Sequence, residues 1–267
     1  MIRLGICLAA AVALVIGSSA LAADSGTPPA EEAPIPPVVW ELAEIDIEGT
    51  PTTPDNPSDY TIQYLPDGRF HVRADCNQGN GQYTAEPPQI ELREIATTKV
   101  ACPEGSLFDE YISQLESATS FQLEQETLIL ELSDGRQMVF TPTLTGVVWQ
   151  WERFMTQRGG MTPEDPAAYT LEFLPDGTIL VVADCNQGSG QYTVQEPHQI
   201  ELSDIAMTEI GCPEGSLSDR FVELLPDVRA YLFNGGKLYL ELMADGGALI
   251  FNAHVAPEDE ATPVAGN

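Results

Sequence analysis

The chain has 267 residues, and its 41 acidic against 11 basic side chains give a formal net charge of −30. Phosphate recognition needs clustered Lys and Arg, so this charge argues against nucleic acid as a partner and against an anionic membrane surface. The sequence shows neither a calcium-loop spacing nor the close Cys and His pairs of zinc sites, so we expect no metal and no cofactor.

The N-terminal residues have the pattern of an export signal. A basic start is followed by an apolar run over Leu4–Ile16 and by small residues around Ala22. We therefore predict a signal peptide over residues 1–22, cleaved after Ala22 or Ala23. The apolar run is short for a membrane span, and no later stretch is long enough, so no stable membrane insertion is expected. The mature protein should be secreted or periplasmic.

Two stretches of the mature chain are nearly identical. "ADCNQGNGQY" stands at Ala74–Tyr83, and "ADCNQGSGQY" stands at Ala183–Tyr192. The match extends further along the chain, since "CPEGSL" begins at both Cys102 and Cys212. A period of about 110 residues is too long for a solenoid repeat and is typical of a compact domain. The sequence thus predicts two copies of one domain.

The boundaries of the two copies follow from the register of the repeat. Pro142–Thr145 is a very short link, so the copies should touch or lie close together. The predicted organisation is a signal peptide (1–22), a disordered segment rich in Pro and Glu (23–37), a first domain (38–141), a second domain (146–253) and a polar tail (254–267).

Alternating apolar residues predict a hairpin near the start of each copy. In copy 1 the alternation runs over Tyr60–Tyr64 and again over Phe70–Cys76, on either side of a Pro-Asp-Gly turn at Leu65–Gly68. The period of two residues places Cys76, and in copy 2 Cys185, on the same face as the apolar residues. We therefore expect both cysteines to be buried in the core.

A helix and a closing hairpin complete the copy. Helical spacing of apolar residues follows Ser106, a candidate N-cap with Asp109 three residues on, as in a capping box. Leu128–Leu132 and Gln137–Phe140 then read as two paired strands, and copy 2 repeats both features. One helix among many short antiparallel strands favours the α+β class.

These residues resemble the META domain family, which includes the HslJ-like heat-shock proteins. The family pattern contains an opening Trp, a Gly, a Cys-Asn pair, a Gly-x-Tyr, an Ile-Ala-x-Thr-x-x-Ala-Cys element, and a closing Leu-x-Leu and Phe. The matching residues are Trp40, Gly68, Cys76-Asn77, Gly81–Tyr83, Ile95–Cys102, Leu128–Leu130 and Phe140 in copy 1, and Trp149, Gly177, Cys185-Asn186, Gly190–Tyr192, Ile205–Cys212, Leu238–Leu240 and Phe251 in copy 2.

The family pattern occurs twice, and the two occurrences together cover nearly all of the mature chain. It implies that each small domain is an antiparallel β-rich incomplete barrel packed on one helix. It also implies envelope or stress-related roles, but no particular reaction. Two departures stand out: Asp75 and Asp184 replace the usual Gly before the Cys-Asn pair, and Gly211 replaces the usual Ala. Asp tolerates a positive φ better than most residues, so the first departure is mild for the fold.

Four cysteines remain after removal of the signal peptide, namely Cys76, Cys102, Cys185 and Cys212. An even number in an exported chain suggests disulfides, and four cysteines allow three pairings. Matching pairs within each copy are the simplest interpretation, which predicts bonds from Cys76 to Cys102 and from Cys185 to Cys212. Four buried free thiols are the alternative.

The polar residues of the repeated motif are candidate binding loops. They are Gln78, Asn80 and Gln82 in copy 1, and Gln187, Ser189 and Gln191 in copy 2. Turn chemistry and backbone capping explain such residues without any ligand. The alternative is a rim that binds an unknown protein or glycan of the cell envelope. At the domain junction, we expect Trp149 in the core and Trp151 partly exposed.

No arrangement of residues points to a reaction, and we assign no catalytic residue. The three histidines His71, His198 and His254 do not recur at matching positions, and no nucleophile or zinc-protease motif is present. The predicted function is an exported non-enzymatic binding or envelope and stress-associated module. One alternative is an acid–base hydrolase of envelope glycans or peptides, using a carboxylate pair such as Asp75 with Glu110. Another is a hydrolase inhibitor that presents the repeated loops.

Overall fold

A computed structural model of the chain describes residues 33–195 and 197–255. In these ranges each copy consists mainly of antiparallel strands. Copy 1 contains β1 (Val39–Ile47), β2 (Thr50–Thr52), β3 (Tyr60–Tyr64), β4 (Arg69–Ala74), β5 (Asn77–Glu86), β6 (Gln89–Thr97), α1 (Phe108–Glu116), β7 (Ala118–Glu124), β8 (Thr127–Leu132) and β9 (Gln137–Pro142).

Copy 2 repeats the same order of elements. It contains β10 (Val148–Thr156), β11 (Gly159–Met161), β12 (Tyr169–Phe173), β13 (Thr178–Ala183), β14 (Asn186–Gln195), β15 (Gln199–Met207), α2 (Ser218–Leu224), β16 (Val228–Asn234), β17 (Lys237–Leu242) and β18 (Ala248–His254). Short 3-10 turns precede β3 and β12, follow α2 and precede β18.

The strands of each copy close into a barrel. Strand β1 pairs with β3 on one side and with β9 on the other, and β10 pairs in the same way with β12 and β18. Eight strands complete each described ring, and β2 or β11 is attached outside it as a short hairpin. The expectation of an incomplete barrel was therefore wrong. The pairing is sparsest between β6 and β7, for which one residue pair, Gln89 with Ser120, is in register.

The hairpin predicted near the start of each copy is confirmed. Leu65 N donates to Arg69 O at 2.8 Å, and the turn needs the positive φ of Gly68, which is +84°. Inward residues such as Ile62 and Phe70 are fully buried. Because alternate residues of a strand share a face, the apolar set fills the barrel and the polar set faces water.

Helix α1 lies between β6 and β7, as the sequence predicts. It buries Tyr111 and Leu115. The capping box does not form, because the helix begins at Phe108 and no side chain caps its Leu107 N-cap. Instead, Ser106 Oγ accepts from the backbone N–H of Phe108 at 3.2 Å. The fold thus anchors the helix mainly through its apolar face.

The segment before β1 differs from its prediction. Residues 33–37 were expected to be disordered, but Ile35 is fully buried and Pro36 O accepts from the indole N–H of Trp40 at 3.2 Å. The prediction of disorder rested on the overall composition of the segment. It did not take into account that a single apolar side chain, Ile35, can be buried and so hold the segment against the domain. The signal peptide, its cleavage site and most of the polar tail lie outside the described residues.

The two copies belong to one compact unit. The link between them is held in part by Trp149, whose indole N–H donates to Leu144 O at 2.8 Å. Trp151 was expected to be partly exposed, but it is fully buried and packs against Tyr169 and Phe221. Its position two residues after Trp149 places it on the same inward face. Within the described ranges, no helix is both long and apolar enough to cross a membrane.

Candidate functional site

The repeated motif has a different local structure from the one predicted. The sequence predicts that the strand continues through Cys76 and that the polar residues after it form a loop. In the structure, β4 ends at Ala74, residues 75–76 form the turn, and β5 starts at Asn77. Asp75 takes a φ of +56°, and Asp184 takes +58°. A left-handed Asp is well suited to a two-residue hairpin turn, which is why the turn comes earlier.

The glycines of the motif permit close approach between strands instead of a turn. A Cβ at Gly81 would lie 2.5 Å from the Phe70 ring and 2.8 Å from Arg93 O. At Gly79 it would overlap Ala96 O, and at Gly188 it would overlap Ala206 O. Glycine is therefore required here by packing against the neighbouring strand.

The candidate binding residues of the motif lie on strands, with their side chains facing outward. Gln78, Asn80 and Gln82 alternate with inward residues along β5, and all three are exposed. Their counterparts on β14 are exposed as well, namely Gln187, Ser189 and Gln191. They form a polar row on the outer barrel surface of each copy, which we call the outer row.

The surroundings of the outer row differ between the copies. In copy 1, strand β4 places Arg73 beside Gln78 and His71 beside Asn80. In copy 2, the residue beside Ser189 is Leu180, which is exposed. The two outer rows therefore offer different chemistry, although their motifs are nearly identical.

Disulfide bonds join Cys76 to Cys102 and Cys185 to Cys212, each within its own copy. The expectation that Cys76 and Cys185 are buried was wrong: Cys76 is exposed and Cys185 is intermediate. The left-handed Asp before each cysteine breaks the alternation, so the next residue, Asn77 in copy 1, faces inward instead. Each disulfide ties the β4–β5 or β13–β14 turn to the loop that precedes the helix.

Asn77 is completely buried and organises that loop in copy 1. Its Oδ1 accepts from Val100 N at 2.8 Å and from Thr98 Oγ1 at 2.9 Å. Its Nδ2 donates to Val100 O at 3.0 Å and lies 3.2 Å from Cys102 Sγ. Because the amide is fully used, the loop is held to the barrel by one side chain. The Cys-Asn pair of the motif was identified from the sequence. The neighbouring residues, however, gave no indication that Asn77 is buried and Cys76 is exposed.

Copy 2 repeats this arrangement atom for atom. Asn186 Oδ1 accepts from Ile210 N at 2.8 Å and from Thr208 Oγ1 at 2.9 Å, and its Nδ2 donates to Ile210 O at 2.9 Å. Asn186 also lies 3.4 Å from Ser218 Oγ, at the start of α2. The network therefore fixes the same loop in both copies.

The fixed loop forms one wall of a groove in copy 1, and α1 forms the other. This groove has a volume of about 720 Å³. Its apolar lining includes Ile95, Val100, Phe108 and Ile112. Val100 is 61% exposed although its backbone is fixed by Asn77. An aliphatic side chain is thus held rigidly in water at the edge of an apolar groove.

The equivalent groove of copy 2 has a volume of about 750 Å³. Ile210, Val222 and Met207 contribute to its apolar lining, and Ile210 is 59% exposed. We refer to the two as the disulfide grooves, because Cys102 lines one and Cys212 lines the other. The grooves were not predicted from the sequence, although the repeated Ile-Ala-x-Thr element and the helix together supply their lining.

The sequence model of the META domain family matches the chain twice, over residues 33–143 and over residues 142–255. The chain belongs to the META domain family. Both META domains of the chain therefore carry the Cys-Asn pair in the same role, with the cysteine in the disulfide and the asparagine in the buried network. Within the described part of the META domains, no three His, Cys, Asp or Glu side chains are grouped so as to hold a metal ion.

Three solved structures similar to the chain each correspond to about one META domain. A protein from Burkholderia xenovorans is 18% identical, with 40% of this chain and 83% of that chain covered and a TM-score of 0.35. A DUF4847 family protein from Bacteroides vulgatus is 18% identical, with 39% and 92% covered and a TM-score of 0.31. A third structure, solved by NMR, is 20% identical, with 40% and 91% covered and a TM-score of 0.33. No curated protein matches the chain.

Proposed function

We propose that this tandem META domain chain is an exported, non-enzymatic binding protein of the cell envelope. In this proposal, each disulfide groove holds part of a partner protein. The observation that carries it is the equivalent exposure of Val100 and Ile210 beside equivalent grooves. A single exposed aliphatic side chain is ordinary on a protein surface. Two at matching positions, each with its backbone fixed by a buried asparagine, support a shared binding role.

The charge around the grooves indicates the chemistry of the partner. The groove of copy 1 is lined by Asp109 and Glu116 together with Lys99, and the groove of copy 2 is lined by Glu209, Asp219 and Glu223. The whole chain also carries a net charge of −30. A complementary segment presents an aliphatic side chain flanked by Lys or Arg, since opposite charges steer association. With one groove in each copy, one molecule can engage two such segments at raised effective concentration.

The polar groups at the grooves support binding over catalysis. The cysteines that line them are bound in disulfides, so neither offers a thiolate nucleophile. Ser106 Oγ accepts a backbone hydrogen bond at the helix start, and Asn77 is used by the loop. These groups hold the walls in place, while the apolar side chains remain available to a partner.

Export is part of the proposal and is supported by two observations. The apolar run over Leu4–Ile16 has the composition of a signal peptide. The two disulfides suit an oxidising compartment outside the cytoplasm. A periplasmic or secreted location would also place the grooves among envelope proteins.

Site-specific photo-crosslinking tests the proposal. A photoreactive residue at position 100 or 210 should crosslink to one protein in the exported fraction, and the same residue at Met155, exposed outside the grooves and the outer row, should not. Binding of the captured protein is then measured with Val100→Thr, Ile210→Thr and the double variant. We expect each single variant to lower affinity about tenfold and the double variant to abolish binding. Equal crosslinking from position 155, or full affinity in the double variant, would refute the grooves as the site.

The outer row is a second candidate surface, because its amide side chains are exposed in both copies. A variant carrying Gln78→Ala, Asn80→Ala, Gln187→Ala and Ser189→Ala tests it in the same binding assay. Loss of the partner in this variant, with full binding in the groove double variant, would transfer the function to the outer row. Turnover of an envelope glycan or peptide, or inhibition of a lytic enzyme, would instead favour the hydrolase or inhibitor alternative.

A further inference from the structure

A cavity of about 500 Å³ lies where the two copies meet. Copy 1 contributes Glu41 and Glu126, and copy 2 contributes Tyr192, His198, Tyr231 and Phe233. We propose that this junction cleft binds a primary aliphatic ammonium group, with Glu41 as its counter-ion and the aromatic rings around its carbon chain. The disulfide grooves lie elsewhere in each copy, so the junction cleft is a separate site.

Glu126 holds the cleft together. Its Oε1 accepts from the backbone N–H of Phe233 at 2.5 Å, and its Oε2 lies 3.9 Å from His198 Nε2. A carboxylate of copy 1 is thus hydrogen-bonded to the backbone of Phe233 in copy 2 and lies near a second residue, His198. Because the Glu126 carboxylate already accepts a hydrogen bond from Phe233 N, we assign it a structural role in the wall of the cleft and not the role of counter-ion.

Glu41 is the group that lacks a partner. It lies on β1, opposite Thr61 on β3 and Thr141 on β9, and its side chain is only partly exposed. In the described ranges, no side chain or backbone group hydrogen-bonds or ion-pairs with its carboxylate. Burial raises the pKa of Glu41 above its usual value. A half-buried carboxylate of this kind is stabilised by an opposite charge nearby.

Aromatic rings continue from the cleft into copy 2. The ring centroids of His198 and Tyr231 are 5.7 Å apart, those of Tyr231 and Phe233 are 5.9 Å apart, and Phe233 lies 5.8 Å from Trp149. The faces of such rings attract organic cations and also pack against methylene groups. The cleft is also lined by Thr127, Thr141, Thr143 and Thr145, whose hydroxyl oxygens can accept hydrogen bonds from an ammonium group.

Comparison of the two copies shows that the cleft is not a by-product of duplication. At the position of Glu41, copy 2 has Gln150, and at the position of Glu126 it has Gly236. Conversely, copy 1 has Pro88 and Leu123 at the positions of His198 and Phe233, whereas the two tyrosines of the cleft have aromatic counterparts there. Copy 1 therefore supplies the carboxylates and copy 2 supplies the rings. Neither copy alone contains both halves of the site.

Isothermal titration calorimetry of the full mature chain tests the proposal. The probes are cadaverine as a free diamine, Nα-acetyl-lysine methylamide as a stand-in for a peptide side chain, and pentane-1,5-diol as an uncharged control. Titrations at about 150 mM NaCl screen the diffuse attraction of the net charge. We expect at least one amine to bind with one-to-one stoichiometry and the diol not to bind. Whichever amine binds more tightly identifies the source of the ammonium group.

Two substitutions make the outcome specific. Glu41→Gln introduces the residue that copy 2 carries at this position, and we expect it to weaken amine binding about tenfold. Glu164→Gln removes the same charge from an exposed position outside the cleft and should change affinity less than about twofold. Absence of amine binding, binding of the diol, or equal weakening by both substitutions would overturn the proposal.

Discussion

The side-chain amide of Asn77 brackets the peptide group of Val100, accepting from its N at 2.8 Å and donating to its O at 3.0 Å. Asn186 brackets Ile210 in the same way in copy 2. In a strand, a neighbouring backbone would supply these two hydrogen bonds. Here one buried side chain replaces it, so the loop can leave the sheet without orphaned polar groups.

Removal of this amide should destabilise the first domain. Asn77→Ala removes the hydrogen bonds that its side chain forms with Val100 N, Val100 O and Thr98 Oγ1, and each such bond contributes about 0.5–1.5 kcal/mol. We expect the free energy of unfolding to fall by about 2–4 kcal/mol in chemical denaturation. Asn80→Ala, on the exposed face of the same strand, should change it by less than about 0.5 kcal/mol. A similar loss of unfolding free energy in both variants would show that the hydrogen bonds between Asn77 and Val100 do not stabilise the domain.

Two buried tyrosines of copy 1 should be replaceable by phenylalanine with a gain in stability. The hydroxyls of Tyr64 and Tyr111 have no hydrogen-bond partner among the described residues, and copy 2 has Phe173 and Phe221 at these positions. We expect Tyr64→Phe and Tyr111→Phe each to raise the free energy of unfolding by about 1 kcal/mol.

The control and the pH dependence separate this effect from packing. Tyr83 donates from its hydroxyl to Leu65 O at 2.9 Å, so Tyr83→Phe should lower stability instead.

Burial raises the pKa values of Tyr64 and Tyr111. Their contribution is complete below the unfolded pKa of about 10 and is lost as the pH rises, so wild type should weaken above about pH 10 more than the double Phe variant. Parallel profiles would contradict this assignment.

The two disulfides should stabilise their domains by similar amounts. The sequence separations that they close are 26 and 27 residues, which corresponds to roughly 3 kcal/mol each in the chain-entropy model. Cys76→Ala with Cys102→Ala, and the equivalent pair in copy 2, should each lower the free energy of unfolding by that amount. Guanidinium unfolding of the two double variants measures it. A loss confined to one copy would mean that the other loop is held by its asparagine alone.

Glu41 should make stability depend on pH in a recognisable direction. Burial raises its pKa in the folded state, so the folded chain binds the proton more tightly than the unfolded chain does. Its favourable contribution is complete below the unfolded pKa of about 4 and is lost as the pH rises through the folded pKa. Glu41→Gln should therefore be more stable than wild type near pH 7, and the difference should vanish near pH 4.

The reciprocal change provides the matched control for Glu41. Gln150 occupies the equivalent position in copy 2 and lies opposite Thr170 and Asn252. Gln150→Glu places a carboxylate in a similar site, so it should lower stability near pH 7. Thermal unfolding between about pH 4 and pH 7 follows both variants. A shift of the same sign in both would show that the effect does not come from burial of the carboxylate.

The local elements of the fold were accessible from the sequence. The Pro-Asp-Gly turn at Leu65–Gly68, the helix that buries Tyr111, and the closing hairpin all match their predictions, because each depends on a few neighbouring residues. Closure of the barrel did not follow from such patterns. It depends on pairing between β1 and β9, whose residues are far apart in the chain.

The candidate sites were harder to predict for the same reason. A single left-handed residue, Asp75, exchanges the exposed and buried positions of Cys76 and Asn77, and strand periodicity contains no signal for it. The disulfide grooves need the loop and the helix together, and the junction cleft needs both copies. Equivalent residues could have been compared from the repeat alone, which would have shown Glu41 aligned with Gln150.

Barrel closure also determines how the chain responds to tension. Trp40 near the start of β1 pairs with Pro142 at the end of β9, and Val148 at the start of β10 pairs with His254 at the end of β18. The two ends of each copy therefore lie side by side, and a pulling force opens the closing ladder one pair at a time instead of shearing it. The disulfide from Cys76 to Cys102 then keeps the enclosed segment from extending. Reduction of the two disulfides should therefore lengthen the fully extended chain by the 26- and 27-residue segments that they enclose.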